Sequence, residues 1–199
     1  MSTQNECQHY KRRCLFVTPC CNKKYSCRLC HNEAEDHELD RSSIDLLVCS
    51  QCHFQQKVSA HCTQCGICFG LYSCLECRLF DDSDKMQFHC KDCGFCRIGG
   101  RENFVHCNSC EICLDKNFFP KHNCRAECGK DLCPICFESV HSSTRGNVFV
   151  PNCGHLIHGV CLSLITKHNF VQCPLCRQHY NHNTIDRNED VINNNIDDN

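Results

Sequence analysis

The sequence predicts a string of small metal-stapled modules with little regular secondary structure, and three observations carry that fold class. Of 199 residues, 27 are cysteine and 14 are histidine. The cysteines recur as Cys-x-x-Cys pairs, a spacing that lets both sulfurs of a knuckle reach one ion. The apolar runs, such as Leu46-Leu-Val48 and Val148-Phe-Val150, are a few residues long and too dispersed for one large core. Modules of that size need staples.

Metal is favoured over disulfides on three grounds. The opening Met1-Ser-Thr-Gln-Asn-Glu6, followed by Lys11-Arg-Arg13, has no apolar signal segment, so nothing points to an oxidising compartment. Histidine stands directly before cysteine at 89–90 and 106–107, and the cysteine count is odd. Reduced thiols suit the cytoplasm or nucleus. No apolar stretch approaches the ~20 residues that span a bilayer, so no membrane partner is expected. A net charge of −2, from 21 basic and 23 acidic side chains, argues against a nucleic-acid binder, whose footprint is a basic face. Lys11-Arg-Arg13 with Lys23-Lys24 is the one basic cluster.

Three cysteine fields follow one another. The first holds Cys7, His9, adjacent Cys20 and Cys21, Cys27, Cys30, His31, His37, Cys49, Cys52, Cys62 and Cys65. The second opens with Cys74 and Cys77, then repeats His89-Cys-Lys-Asp-Cys-Gly-Phe-Cys96 as His106-Cys-Asn-Ser-Cys-Glu-Ile-Cys113 at an offset of 17, and ends on His122 and Cys124. The third reads Cys133-Pro-Ile-Cys136, Cys153-Gly-His155, His158, Cys161 and Cys173-Pro-Leu-Cys176, ligands enough for two tetrahedral sites. Within it, Val148–Val150 predicts a strand, and Val160–His168 a short helix with Leu162 and Ile165 on nearby faces. Acidic Asp81-Asp-Ser-Asp84 reads as a solvated loop. The Asn- and Asp-rich end, through Asn193-Asn-Asn-Ile-Asp-Asp-Asn199, lacks apolar content and is expected to be disordered.

These fields resemble known modules. Cys7-x-His9-Tyr10 with Cys20-Cys21 and Cys27-x-x-Cys30-His31 resembles the CHY-type zinc finger. The His-Cys-x-x-Cys-x-x-Cys repeat, with Cys96-Arg-Ile-Gly-Gly100, resembles the CTCHY-type finger, and the third field resembles the RING-H2 finger. In that order the chain is similar to the RING finger and CHY zinc finger domain-containing ubiquitin ligases. The expected domains are 1–68 CHY, 69–132 CTCHY, 133–177 RING-H2 and 178–199 tail. Family members usually carry a zinc ribbon after the RING, whereas this sequence ends in the polar tail.

The resemblance implies eight zinc ions. In the first field it suggests Cys7, His9, Cys27, Cys30; Cys20, His31, Cys49, Cys52; and Cys21, His37, Cys62, Cys65, with neighbouring Cys20 and Cys21 serving different ions. In the second it suggests a spiral of strands clamped by Cys74, Cys77, His89, Cys96; Cys90, Cys93, His106, Cys113; and Cys107, Cys110, His122, Cys124. In the RING-like field it implies a cross-brace, Cys133, Cys136, His158, Cys161 against Cys153, His155, Cys173, Cys176. Cys14, Cys68 and Cys128 are left over. His61-Cys-Thr-Gln-Cys-Gly-Ile-Cys68 looks like a third copy of the repeat, but counting His61 and Cys68 gives 34 ligands, which four does not divide. Both are expected to be non-ligands, and His53, His141, His168, His179 and His182 surface or packing residues.

Sites with four protein ligands fold a chain and leave no vacancy for catalytic water. Cys128 lies near Lys130 and Arg125 but has no evident histidine partner, so no covalent ubiquitin intermediate is expected. The resemblance instead implies a RING mechanism, with a ubiquitin-conjugating enzyme, ubiquitin and a protein substrate as partners. Carried over by position, Ile135, Ile165, Pro174 and Leu175 dock the conjugating enzyme, with Ile165 standing where many RINGs have Trp. Arg177 bridges ubiquitin and its carrier, and the N-terminal modules recruit substrate. The alternative is a non-catalytic zinc scaffold for protein interactions.

Overall fold

A computed structural model describes residues 7–140 and 148–180. The expected tail from residue 181 onward, His141 and His182 lie outside the described residues. The chain divides into two compact units, Met1–Arg101 and Glu102–Asn199, a division that falls inside the span 69–132. Among the described residues no helix is long and apolar enough to cross a membrane.

The first unit is built on an antiparallel four-stranded sheet in the order β2-β1-β3-β4: β1 is Cys14–Val17, β2 Lys24–Tyr25, β3 Leu46–Cys49 and β4 Gln55–Lys57. Strand alternation turns Cys14 and Phe16 inward, and pairs Phe16 with Leu47 and Cys14 with Cys49. A helix, α1 (Arg28–Ala34), starts where the Cys27 sulfur accepts the Cys30 N–H. Short as the apolar runs are, they converge: Phe16, Leu39, Ile44, Leu47, Phe69 and Phe80 form a core with Cys14, Cys49 and Cys62. Phe80 packs against Phe16 and Phe69 at ring-centroid distances of 6.3 and 6.1 Å. Two hairpins follow, β5 (Tyr72–Cys74) with β6 (Leu79–Asp81), and β7 (Phe88–Cys90) with β8 (Phe95–Arg97).

The acidic stretch 81–84 is not the solvated loop that its charge suggests. Asp81 is buried, taking Gln87 Nε2 at 3.1 Å and the Ser83 N–H at 3.2 Å. Asp82 forms a bidentate ion pair with Arg13 and also accepts the Leu71 N–H. Both carboxylates act as ties for neighbouring backbone, which composition could not reveal.

In the second unit, hairpin β9 (Phe104–Cys107) and β10 (Ile112–Asp115) precedes strands β11 (Val148–Phe149) and β12 (Ile157–His158) and helix α2 (Gly159–Lys167). Its core gathers Ile112, Leu114, Val140, Phe149, Val150, Leu156, Ile157, Leu162 and Tyr180, with Phe149 and Tyr180 edge-on at 6.0 Å. Cys128 belongs to this core and Cys14 to the other. Gly129 is required where it stands, because a Cβ there would meet the Cys110 and Glu111 carbonyl oxygens at 2.7 Å.

Candidate metal centres and docking face

One local device recurs through both units. After the first cysteine of a Cys-x-x-Cys pair the chain turns, and the fourth residue on takes a left-handed conformation. His53, Gly66, Arg78, Gly94, Glu111, Phe137 and Arg177 all do so, with φ between 51° and 77°. At six of these the N–H returns to the carbonyl of the first cysteine at 2.7–3.0 Å: His53 to Cys49, Gly66 to Cys62, Gly94 to Cys90, Glu111 to Cys107, Phe137 to Cys133 and Arg177 to Cys173. In several knuckles the second cysteine's N–H donates to the first sulfur, as in Cys77 to Cys74 at 3.4 Å. The turn thereby aims both sulfurs to one side.

The sulfurs and imidazoles converge as quartets whose ligand atoms lie within 4.8 Å of one another, among them Cys7, His9, Cys27, Cys30 and Cys74, Cys77, His89, Cys96. In the first field two groupings differ from those drawn by resemblance. Cys20 and Cys21 meet His31 and His37, and Cys49 and Cys52 meet Cys62 and Cys65. The neighbouring cysteines do not serve different ions. They sit on one tight turn, closed by Asn22 N–H to the Thr18 carbonyl at 2.7 Å, with sulfurs 3.2 and 3.8 Å from His31 Nε2. The Cys49 and Cys62 knuckles face each other, Cys49 to Cys65 at 3.7 Å and Cys52 to Cys62 at 3.5 Å. One quartet therefore pairs two thiols with two imidazoles, and the other is made of thiols alone.

In the second unit the Cys124 sulfur lies 3.6 Å from Cys107 and 3.4 Å from Cys110. In the RING-like field Cys136 and Cys161 lie 3.3 and 3.9 Å from His158 Nδ1, and Cys133 contacts Cys136. His155 Nδ1 lies 3.7 Å from Cys173, and Cys153 hydrogen-bonds with Cys173 and Cys176. Two interleaved clusters thus hold the first and last loops.

The donor set fits zinc, and the imidazoles give an independent check. A ligating histidine turns one nitrogen to the metal and gives its other N–H to an acceptor. His9 Nδ1 faces three sulfurs while Nε2 meets Glu33 at 3.1 Å. His89 Nδ1 faces Cys74, Cys77 and Cys96 while Nε2 meets Glu76 at 3.0 Å. His31 turns Nδ1 to Asn32 at 3.0 Å. His37 and His122 give Nδ1 to Asp36 and to the Phe119 carbonyl, leaving Nε2 of each buried with no hydrogen-bond partner. Sequence reasoning missed these acceptors, although Glu76 inside its own knuckle and Glu33 and Asp36 close to ligands were visible signals.

Crowding the thiols separates their proton affinities. Cys77 is lowered to about 5, first by a hydrogen bond from Cys96, whose own value is driven up in return. Cys124 is lowered to about 6, first by the Ser109 hydroxyl. Thiols lowered in this way, gathered at one point, suit a divalent cation. None of the 27 cysteines forms a disulfide.

Of the docking residues, Pro174 and Leu175 are exposed, Leu175 at 60%. Ile135 and Ile165 are half-buried, packed against the core of their unit. Arg177 is exposed on the left-handed residue that ends the last knuckle. Phe137 and Phe170, 74% and 66% exposed, are further large apolar groups that the sequence reading passed over.

Known families match both ends of the described chain. The family profile of the CHY zinc finger matches residues 7–72, and that of the Ring finger domain matches residues 131–177. The chain is a CHY-finger and RING-finger protein. It binds zinc through its Cys/His clusters. It is 43% identical over 173 residues to the E3 ubiquitin-protein ligase SRFP1 of Oryza sativa subsp. japonica, covering 85% of this chain and 66% of that protein. It is 43% identical over 180 residues to the E3 ubiquitin-protein ligase RZFP34 of Arabidopsis thaliana, covering 85% and 62%. The chain thus spans just under two thirds of these relatives' length. It also matches the Zinc finger protein BRUTUS-like At1g18910 of Arabidopsis thaliana at 40% identity, over 14% of that longer protein.

Proposed function

We propose that this chain acts as a RING-type ubiquitin ligase: the RING finger docks a ubiquitin-loaded conjugating enzyme, and the N-terminal zinc modules recruit the protein substrate for ubiquitination and proteasomal degradation. The observation that carries this reading is the pair of interleaved clusters in the RING finger, which brace the loops at 133–136 and 173–176 and leave Pro174, Leu175 and Arg177 exposed. The relatives named as E3 ubiquitin-protein ligases support it. Zinc stiffens the loops, and no bond-making step passes through it. Residues 74–124 act as a CTCHY-type finger, and the ion count is eight. Its full set adds Cys90, Cys93, His106, Cys113; Cys107, Cys110, His122, Cys124; and the two RING quartets to the four groups described for residues 7–96. The reducing cytoplasm or nucleus is the compartment.

The chemistry needs positioning and no nucleophile on this chain. Ile135, Pro174 and Leu175 bury apolar surface of the conjugating enzyme, holding its thioester where a substrate lysine attacks, and such fixation lowers the barrier entropically. Arg177 sits on a backbone position fixed by its N–H to the Cys173 carbonyl, and its planar guanidinium can bond two acceptors at once. It would hold ubiquitin against its carrier in the reactive pose.

The test is discharge of ubiquitin from a loaded conjugating enzyme, run over a panel of such enzymes. Ile135→Ala should weaken docking roughly tenfold or more, as expected for loss of a buried aliphatic anchor. Arg177→Ala should leave docking intact and slow discharge by roughly tenfold, the worth of one charged hydrogen bond. Unchanged discharge in Arg177→Ala removes the bridging role. No discharge with any enzyme replaces the whole reading by the scaffold.

A further inference from the structure

The hairpin that closes the first finger carries a donor pair that none of the quartets above uses. His61 and Cys68 face each other across an antiparallel bridge. The flanking hydrogen bonds are Cys62 N–H to the Ile67 carbonyl at 2.8 Å and Phe69 N–H to the Ala60 carbonyl at 2.9 Å. The 61/68 pair between them is therefore non-hydrogen-bonded, the geometry in which opposed side chains share a face and lie closest. The same pairing recurs twice. His89 opposes Cys96 with Nδ1 and Sγ 3.9 Å apart, and His106 opposes Cys113 at 4.0 Å.

What differs is the surroundings. His61 and Cys68 are both exposed, whereas their neighbours Cys62 and Phe69 are wholly buried on the other face. The hairpin is also held fast. Gln56 Nε2 and Ser59 Oγ donate to the His61 carbonyl at 3.0 and 2.5 Å, and the Arg13 N–H reaches the Phe69 carbonyl at 3.0 Å. A thiol and an imidazole thus stand on one rigid outward face, with half the ligands that a structural zinc takes.

We propose that His61 and Cys68 form half of a further zinc site, completed by the same pair from a second copy of this chain. A twofold axis through the ion would supply two thiolates and two imidazoles, a closed tetrahedral set with no net charge left to bury. The contact is isologous, so the assembly stops at two chains. It does not rest on the ligase reading: ubiquitin discharge can fail while zinc-driven pairing stands, and the reverse.

The experiment uses the zinc-loaded full chain, kept reduced, with zinc chloride added stepwise and read by native mass spectrometry and sedimentation velocity. The expected result is conversion of monomer to dimer with one additional zinc per pair. Cys68→Ser and His61→Ala should each abolish that conversion while keeping the per-chain zinc complement measured before zinc was added, which shows that they are folded. The proposal fails if wild type stays monomeric in excess zinc, or if it takes up one further ion per chain without pairing. It fails equally if Cys68→Ser still pairs, or if the pair survives chelator and disappears with stronger reductant, the mark of a Cys68 disulfide.

Discussion

At the residue scale, the decisive positions are those that sequence patterns disguise. The left-handed residue of each knuckle is open to reading only at Gly66 and Gly94, where glycine announces it; His53, Arg78, Glu111, Phe137 and Arg177 occupy the same conformation with side chains that disfavour it. His53 is exposed and outside the quartets. His53→Gly should therefore stabilise the zinc-loaded protein by up to about 1 kcal/mol, the relief of left-handed strain less the extra chain entropy of glycine. A lower thermal midpoint for the variant would contradict this. The ligands themselves were legible from spacing, but their grouping in the first field was not, because adjacency of Cys20 and Cys21 says nothing of the turn that aims both at His31. Replacing both by serine should empty one site, so that native mass falls by one zinc; loss of two would restore the cross-pairing.

At the scale of elements, β11, α2 and the repeating knuckle hairpins follow directly from local pattern. The contribution of apolar packing was harder to see. Phe16, Phe69 and Phe80 come from distant parts of the sequence, each in a short run that carries no periodic signal, yet they meet in one buried cluster. Each structural zinc is worth about 10–16 kcal/mol in small peptides, while truncating a buried phenylalanine typically costs about 3–5 kcal/mol. Metal therefore dominates, and the core decides whether the sheet is singular or loose. Phe80→Ala should retain the full zinc complement but lose about 3–5 kcal/mol against denaturant. A variant that loses zinc in proportion would mean that the core also holds the ligands in place.

At the scale of the whole molecule, the metals make folding a proton-linked reaction. Burial pushes the Cys153 and Cys161 thiols up to about 12, reinforced by neighbouring sulfurs, so without metal both are protonated at neutral pH. Zinc binds thiolates and must displace those protons, so affinity is greatest at high pH and falls as pH falls. The slope follows the number of thiols in each quartet. The Cys49, Cys52, Cys62, Cys65 site holds four thiols against two in the Cys20, Cys21, His31, His37 site and sheds more protons on binding, although Cys62 and Cys21, each lowered to about 7, give up less than a full proton near neutral pH. The hydrogen bond to Asp36 raises His37, which adds its own proton as pH falls. Acidification should thus unload the tetrathiolate site with the steepest pH dependence, and collapse both units as their quartets empty. Zinc release into a chromogenic chelator, followed with circular dichroism from about pH 8 downward, checks this. Native dichroism persisting after complete release would mean that the two apolar cores hold the fold unaided; a single common slope for all zinc would mean that the first finger contains no quartets of unequal thiol number.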